Sequence, residues 1–248
     1  MSRWKAAGIH LSINAVVAAL AAALIYGVWY PRPYSQAAGA GTLVLLLLGV
    51  DLVLGPLLTL VVFKAGKKGL KFDLAAIAFL QACAFVYGLH VVAAARPAFI
   101  VGVIDRFSLV IANDLDSADL AKATAPEFRS APWTGPRIVG AQMPKDWQSR
   151  NQVLFSGTAG KDLDEFPQYY VPYSQVAHAL TSRAVSLDTL KQKHPESTPV
   201  INAWLQAHPD YLASNVVALP LAAHKQSLTM LLDRTKGTVL DALPINPW

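Results

Sequence analysis

The 248-residue chain contains one cysteine, Cys83, so no disulfide forms within it and a cysteine-built metal or redox site has too few ligands. Charge is also scarce. Asp, Glu, Lys and Arg make up 15% of the residues, against about 25% in an ordinary soluble domain. Catalytic signatures are missing. There is no glycine-rich phosphate loop, and FSGTAG at 155–160 has neither that spacing nor the GxSxG pattern of a nucleophile elbow. The six histidines, His10, His90, His178, His194, His208 and His224, fall at no metal-site spacing with another ligand type. Neither an enzyme nor a bound cofactor or metal is expected.

Hydrocarbon is what the chain has in excess. Hydrophobic residues account for 54% of it and crowd into the first 96 positions. Residues 1–96 hold eight Lys/Arg and two acids, whereas residues 97–248 hold thirteen and fourteen. The basic surplus thus flanks apolar segments. That removes the basic face on a folded domain which nucleic-acid binding needs. The division predicts a three-helix transmembrane domain, 1–96, and a domain of ordinary size, 97–248.

Three stretches meet the requirement of about 20 mostly apolar residues for a membrane span: 8–30, 41–63 and 72–94. All three must be helices, because lipid offers no partner to free backbone groups. Ala19-Leu20-Ala21 resembles a signal-peptide cleavage site, but the apolar run continues past it. Trp4 and Trp29-Tyr30 bracket the run like interfacial anchors. Arg3 and Lys5 precede the first span, and KAGKKGLK joins the second to the third. The positive-inside rule therefore predicts a cytoplasmic N-terminus and, in a bacterium, a periplasmic C-terminal domain. Arg96, beyond the third span, is the one charge out of place.

The C-terminal region reads as α+β with hairpins at both ends. Segments 98–104 and 107–113 flank Asp105-Arg106 as a hairpin. Strands are expected at 137–141, 216–221, 228–232 and 238–243, with Gly237 supplying a positive φ in the DRTKG turn. Helices are expected near 117–123, capped by Ser117, and at 146–155, 174–182, 187–193 and 199–207, the last capped by Thr198. A sheet joining the first and last hairpins is expected. His194 and His208 each precede a proline, so KHPE and AHPD read as helix ends rather than ligand sites. In YYVPY, Tyr169, Tyr170 and Tyr173 are candidates for a recognition surface, the plainer reading being that two of the three are core.

The chemical anomaly lies in the second span, LLLLGVDLVLGPLLTLVVF. A charge at mid-bilayer costs at least about 2.5–3.5 kcal/mol on insertion scales, so Asp51 needs a proton or a partner. At about 1.5 Å per residue, Asp51 lies about 18 Å from the cytoplasmic side, Gln81 about 14 Å and Asn14 about 9 Å. Gln81 is thus the better internal partner. Pro56 leaves the Leu52 carbonyl without its helical donor, while Gly49 and Gly55 permit close helix approach. Asp51, Gly55, Pro56 and Gln81 are candidates for partner docking, or for fixing the bundle alone.

Several stretches resemble the TfpX/TfpZ-type type IV pilin accessory proteins. They are SRWKAAGIHLSINAVVAAL, LLGVDLVLGPLLTLVVF with KKGLKFDLAAIAFLQACAFVYGLHVV, ARPAFIVGVIDRFSLVIANDL, YYVPY and LLDRTKGTVLDALPINPW. The likeness is ordered along nearly the whole chain, apart from about 123–144. It implies a bacterial inner-membrane protein, chaperone-like and not an enzyme, matched to a cognate major type IV pilin. The implied partners are that pilin, the lipid bilayer and other pilus assembly components. The residues alone leave open a membrane-anchored periplasmic hydrolase and a structural subunit of an inner-membrane complex. A deep polar pocket in 97–248 would favour the hydrolase.

Overall fold

The structure, a computed structural model, describes residues 2–248. Helix α1 (Arg3–Leu24) opens on Ser2, whose hydroxyl accepts from the Lys5 N–H, and continues through a π turn to Trp29. A short helix α2 (Tyr34–Ala37) leads to α3 (Ala40–Val62), which carries Pro56 inside it. The third long helix, α4 (Leu70–Ala94), follows the lysine turn. All three long helices are apolar and long enough to cross a membrane, as the composition predicts. Helix α3 lies between α1 and α4 and packs on both.

The largest buried cluster of the helices lies at the end nearest the C-terminal domain. Ile25, Tyr30, Ala40, Val44 and Val92 are buried together there, and the Tyr30 hydroxyl donates to the Val92 carbonyl at 2.7 Å. Further along, small and polar residues are buried between the helices, among them Ala6, Asn14, Ala18 and Thr59. His10 Nδ1 lies 2.6 Å from Thr59 Oγ1, linking α1 to α3.

Two residues after α4 the chain becomes strand. Strands β1 (Pro97–Val103) and β2 (Arg106–Ile111) form the expected hairpin. After α5 (Ser117–Ala121) come β3 (Arg137–Ala141), α6 (Trp147–Thr158), β4 (Tyr170–Pro172), α7 (Ala177–Thr181), β5 (Val185–Ser186), α8 (Leu187–Lys193) and α9 (Thr198–Ala207). Strands β6 (Val216–Ala222), β7 (Leu228–Asp233) and β8 (Val239–Leu243) close the domain. One mixed sheet runs β4-β3-β1-β2-β6-β7-β8, with β5 paired to β6. The parallel β2–β6 pairing, Phe107 beside Leu221, joins the first hairpin to the last.

Every residue of β1 is buried, because this strand sits mid-sheet with both faces covered. Its side chains alternate. Phe99, Val101 and Val103 enter one core with Phe128, Val153 and Tyr170, while Ile100 enters the other with Leu109, Leu219 and Met230. A third cluster packs Ile201 and Trp204 of α9 against Val216, Leu231 and Leu243.

Two caps differ from expectation. Asp116, not Ser117, caps α5, its Oδ1 accepting from the Ala118 N–H at 2.8 Å. Ser197 precedes α9 in the position expected of Thr198, and its hydroxyl donates to the His194 carbonyl at 2.6 Å instead of capping. Carboxylates one residue earlier compete well for exposed N–H groups, which explains the first shift. Gly237 has φ +68°, as the turn requires, and His194 and His208 stand at the ends of α8 and α9.

Arg96, the charge out of place in the sequence, is only 5% exposed. Its guanidinium donates to the carbonyls of Ala93 at 2.6 Å, Pro132 at 3.0 Å and Ala131 at 3.1 Å, and lies 3.9 Å from the centre of the Trp133 ring. Trp133 in turn meets Trp29 at 5.9 Å. Lys225 and Gln226, beyond β6, donate main-chain N–H groups to the Ala37 carbonyl. The C-terminal domain is thereby seated on the end of the helical bundle through two separate contacts.

Candidate functional site

Asp51 sits midway along α3, half-buried, at the meeting point of all three long helices. Gln81 of α4 donates from Nε2 to Asp51 Oδ1 at 3.0 Å and to the Asp51 carbonyl at 3.2 Å. Asn14 of α1 donates to that same carbonyl at 2.8 Å. The depth ordering inferred from the sequence thus finds Gln81 on the carboxylate, while Asn14 reaches the main chain. The carbonyl that Pro56 leaves without a helical donor is the next one, that of Leu52, so the donors on Asp51 tie the helices together at the turn preceding the proline.

Gly55 makes this approach possible. A Cβ there would overlap the Gln81 amide, so any larger residue must displace the side chain that satisfies Asp51. Gly55 is buried, and Pro56 is half-buried behind it. The four membrane candidates from the sequence therefore form one local arrangement.

Two open grooves meet at this cluster. One, of ≈ 430 Å³ between α3 and α4, has walls of Leu46, Val50, Leu54, Leu80 and Ala84. The other, of ≈ 470 Å³, lies between α1 and α4 and is walled by Ile9, Ile13, Val17, Ala78 and Ala82. Asp51 and Gln81 line both. The first is otherwise hydrocarbon and the second adds His10, Asn14 and Thr59 to a mainly apolar lining, so they suit an apolar helix or acyl chain.

The tyrosines are divided by the fold. Tyr170 is 3% exposed, edge-on to Phe99 and Phe128, and its hydroxyl donates to the Asp164 carbonyl. Tyr173 packs on Phe107 and donates to the Gly237 carbonyl at 2.7 Å. Tyr169 is half-buried beside Phe166. Together they are anchors of the domain core more than a surface. The exposed aromatic face lies on α6 instead. Trp147, Leu154 and Phe155, spaced i, i+7 and i+8, are 76%, 55% and 73% exposed. The parallel register of β3 with β1 puts α6 at the end of the sheet away from the bundle. A polar helix with only Val153 buried gives no amphipathic signal, which is why periodicity missed it.

A shallow cleft of ≈ 270 Å³ beside β2 gathers Arg106, Asp114, Asp162, Asp164, Glu165 and His224. Most are committed within the fold. Arg106 pairs with Asp162 at 2.9 Å, His224 meets Asp114 at 2.9 Å, and Asp114 also accepts from the Ile111 N–H. Burial, with the neighbouring carboxylates Asp114 and Asp164, pushes Glu165 from the usual 4.5 up to about 7. The folded chain holds this proton more tightly than the unfolded chain. Stability is therefore lost as pH rises from about 4.5 to about 7. Glu165→Gln is expected to raise the unfolding temperature at pH 8 and leave it nearly unchanged at pH 4.5. Thermal unfolding of the full chain in detergent at both pH values checks this.

A small multi-span protein with open intramembrane grooves and an α+β head is what these features define. Comparison with known proteins gives the family. The description "FimB: Fimbrial assembly protein FimB" matches residues 1–39. The chain is 31% identical over 246 residues to "Fimbrial assembly protein, serogroup I" of Dichelobacter nodosus, covering 98% of this chain and 95% of that protein. It is 32% identical over 185 residues to the serogroup E1 protein of the same organism, covering 74% and 72%. Against the serogroups C1 and C2 protein it is 37% identical over 121 residues, covering 48% and 92%. The chain belongs to the fimbrial assembly protein family, and its role lies in fimbrial or pilus biogenesis. No solved structure matches it.

Proposed function

We propose that this protein is a TfpX/TfpZ-type accessory factor of the bacterial inner membrane that engages its cognate major type IV pilin, chaperone-like, during pilus assembly. The observation that carries this reading is the pair of open apolar grooves converging on Asp51 and Gln81. A bundle built only to anchor a domain would close on itself, because helices without further partners gain by packing. In this reading the N-terminus and the lysine turn are cytoplasmic and the α+β domain is periplasmic, in line with Lys64, Lys67, Lys68 and Lys71 between α3 and α4. A pilin awaiting assembly presents a membrane helix and a periplasmic head, and a bundle joined to a periplasmic domain meets both. Two weak contacts linked in this way reinforce each other through effective concentration. The exposed face of α6 is the stronger candidate for the head, and Tyr170 is excluded by burial.

The protein acts here by binding and not as an enzyme. In support, four of the ionisable groups in the cleft beside β2, Arg106, Asp114, Asp162 and His224, are paired with one another. Photoreactive residues placed at Leu54 in the groove and at Trp147 on α6, in living cells, test the reading. Both are expected to capture the major pilin. Capture of other proteins only, from either position, would overturn it.

A further inference from the structure

The carboxylate at the groove floor is incompletely satisfied. Asp51 Oδ1 accepts from Gln81, but among the described residues no hydrogen bond reaches Asp51 Oδ2, which is open to the groove. Beside it, Gln81 Oε1 is buried and takes no hydrogen bond at all. Two unmet acceptors thus sit side by side. None of the neighbouring donors is directed at Oδ2. Gln81 Nε2 spends both N–H groups on Asp51 Oδ1 and its carbonyl, Asn14 Nδ2 reaches the same carbonyl, and His10 is paired with Thr59. No lysine or arginine lines either groove. An uncompensated carboxylate surrounded by hydrocarbon is costly, and the cost is relieved by a cation or by a proton.

We propose that the groove between α3 and α4 receives a membrane-spanning helix that carries a protonated nitrogen at the depth of Asp51. This rests on the reading above and names the chemistry of its membrane contact. The walls take the apolar side chains of the helix, and Asp51 Oδ2 takes the charged N–H. The field of that cation also favours Gln81 Oε1, the second acceptor. The pair then acts as a depth gauge. A purely hydrocarbon helix leaves both oxygens unmet and binds more weakly, which is discrimination by an unsatisfied polar group.

The test uses the full-length protein in cells, with the photoreactive residue at Leu54. In the otherwise unaltered chain, capture of a helix is expected. Asp51→Asn keeps the size of the side chain and an acceptor for Gln81 but removes the charge. At equal protein level it is expected to lower capture by at least about tenfold, while Asp51→Glu retains most of it. Undiminished capture by Asp51→Asn overturns the cation and leaves the binding reading standing. Capture of lipid alone by the unaltered chain overturns both. Should Asp51→Asn fail to accumulate, sequencing the peptide caught by the unaltered chain decides. A lysine, arginine, histidine or free amino terminus within one helical turn of the attachment point supports the proposal. A segment with none within that turn overturns it.

Discussion

Replacing Arg96 with alanine is expected to lower the unfolding midpoint of the full-length protein in detergent by roughly 6–12 °C, a loss of about 3 kcal/mol. Three carbonyls lose a charged donor together, and Trp133 loses the cation on its face. Charge-assisted hydrogen bonds contribute more than neutral ones, and this guanidinium is almost wholly enclosed. Burial also holds its pKa below the usual arginine range. Arg96→Lys should recover only a small part, since an ammonium cannot reach three carbonyls while stacking on an indole. Trp133 and Trp29 report directly, because their mutual contact ends when the domain lifts from the bundle. An unchanged midpoint for Arg96→Ala would show that the seam is held elsewhere, by Lys225 and Gln226 on Ala37.

The second large effect is expected at Gly55. Gly55→Leu should cost about 2–4 kcal/mol in the association of α3 with α4, and Gly55→Ala about 1–3 kcal/mol, through eviction of Gln81 from Asp51. The mechanism makes a sharper demand than the size of the loss. Once Gln81 has been replaced by alanine, Gly55→Ala should cost almost nothing further, because the amide it displaces is already absent. Full additivity in that double-mutant cycle, measured by thermal unfolding in micelles, would mean that Gly55 serves the α3–α4 approach in some other way.

Much of this was readable before the fold was known, for identifiable reasons. Spans announce themselves by length and hydropathy, and the hairpins around Asp105-Arg106 and Gly237 announce themselves by turn chemistry. Asp51 and Gln81 could be matched by counting depth, because helices in a bilayer share a ruler of 1.5 Å per residue. What stayed hidden involves partners distant in the chain with no periodic trace. Arg96 meets carbonyls 35 and 36 residues away, and a sequence shows only an arginine near a span. Strands β4 and β5, three and two residues long, are too short to alternate. Which tyrosine of YYVPY is buried was not legible, because aromatic rings serve cores and interfaces alike, and only the packing of Phe99 and Phe128 on Tyr170 places that ring in the core.

Only Ala95 and Arg96 stand between the last turn of α4 and the first residue of β1. A junction so short has no slack, and the seven residues of β1, at about 3.3 Å each, carry the Asp105–Arg106 turn roughly 23 Å beyond it. The head therefore rides on its stem like a flag on a mast. Any tilt of that stem within the lipid swings the far side of the sheet through a larger arc, turning a small intramembrane adjustment into a visible displacement outside.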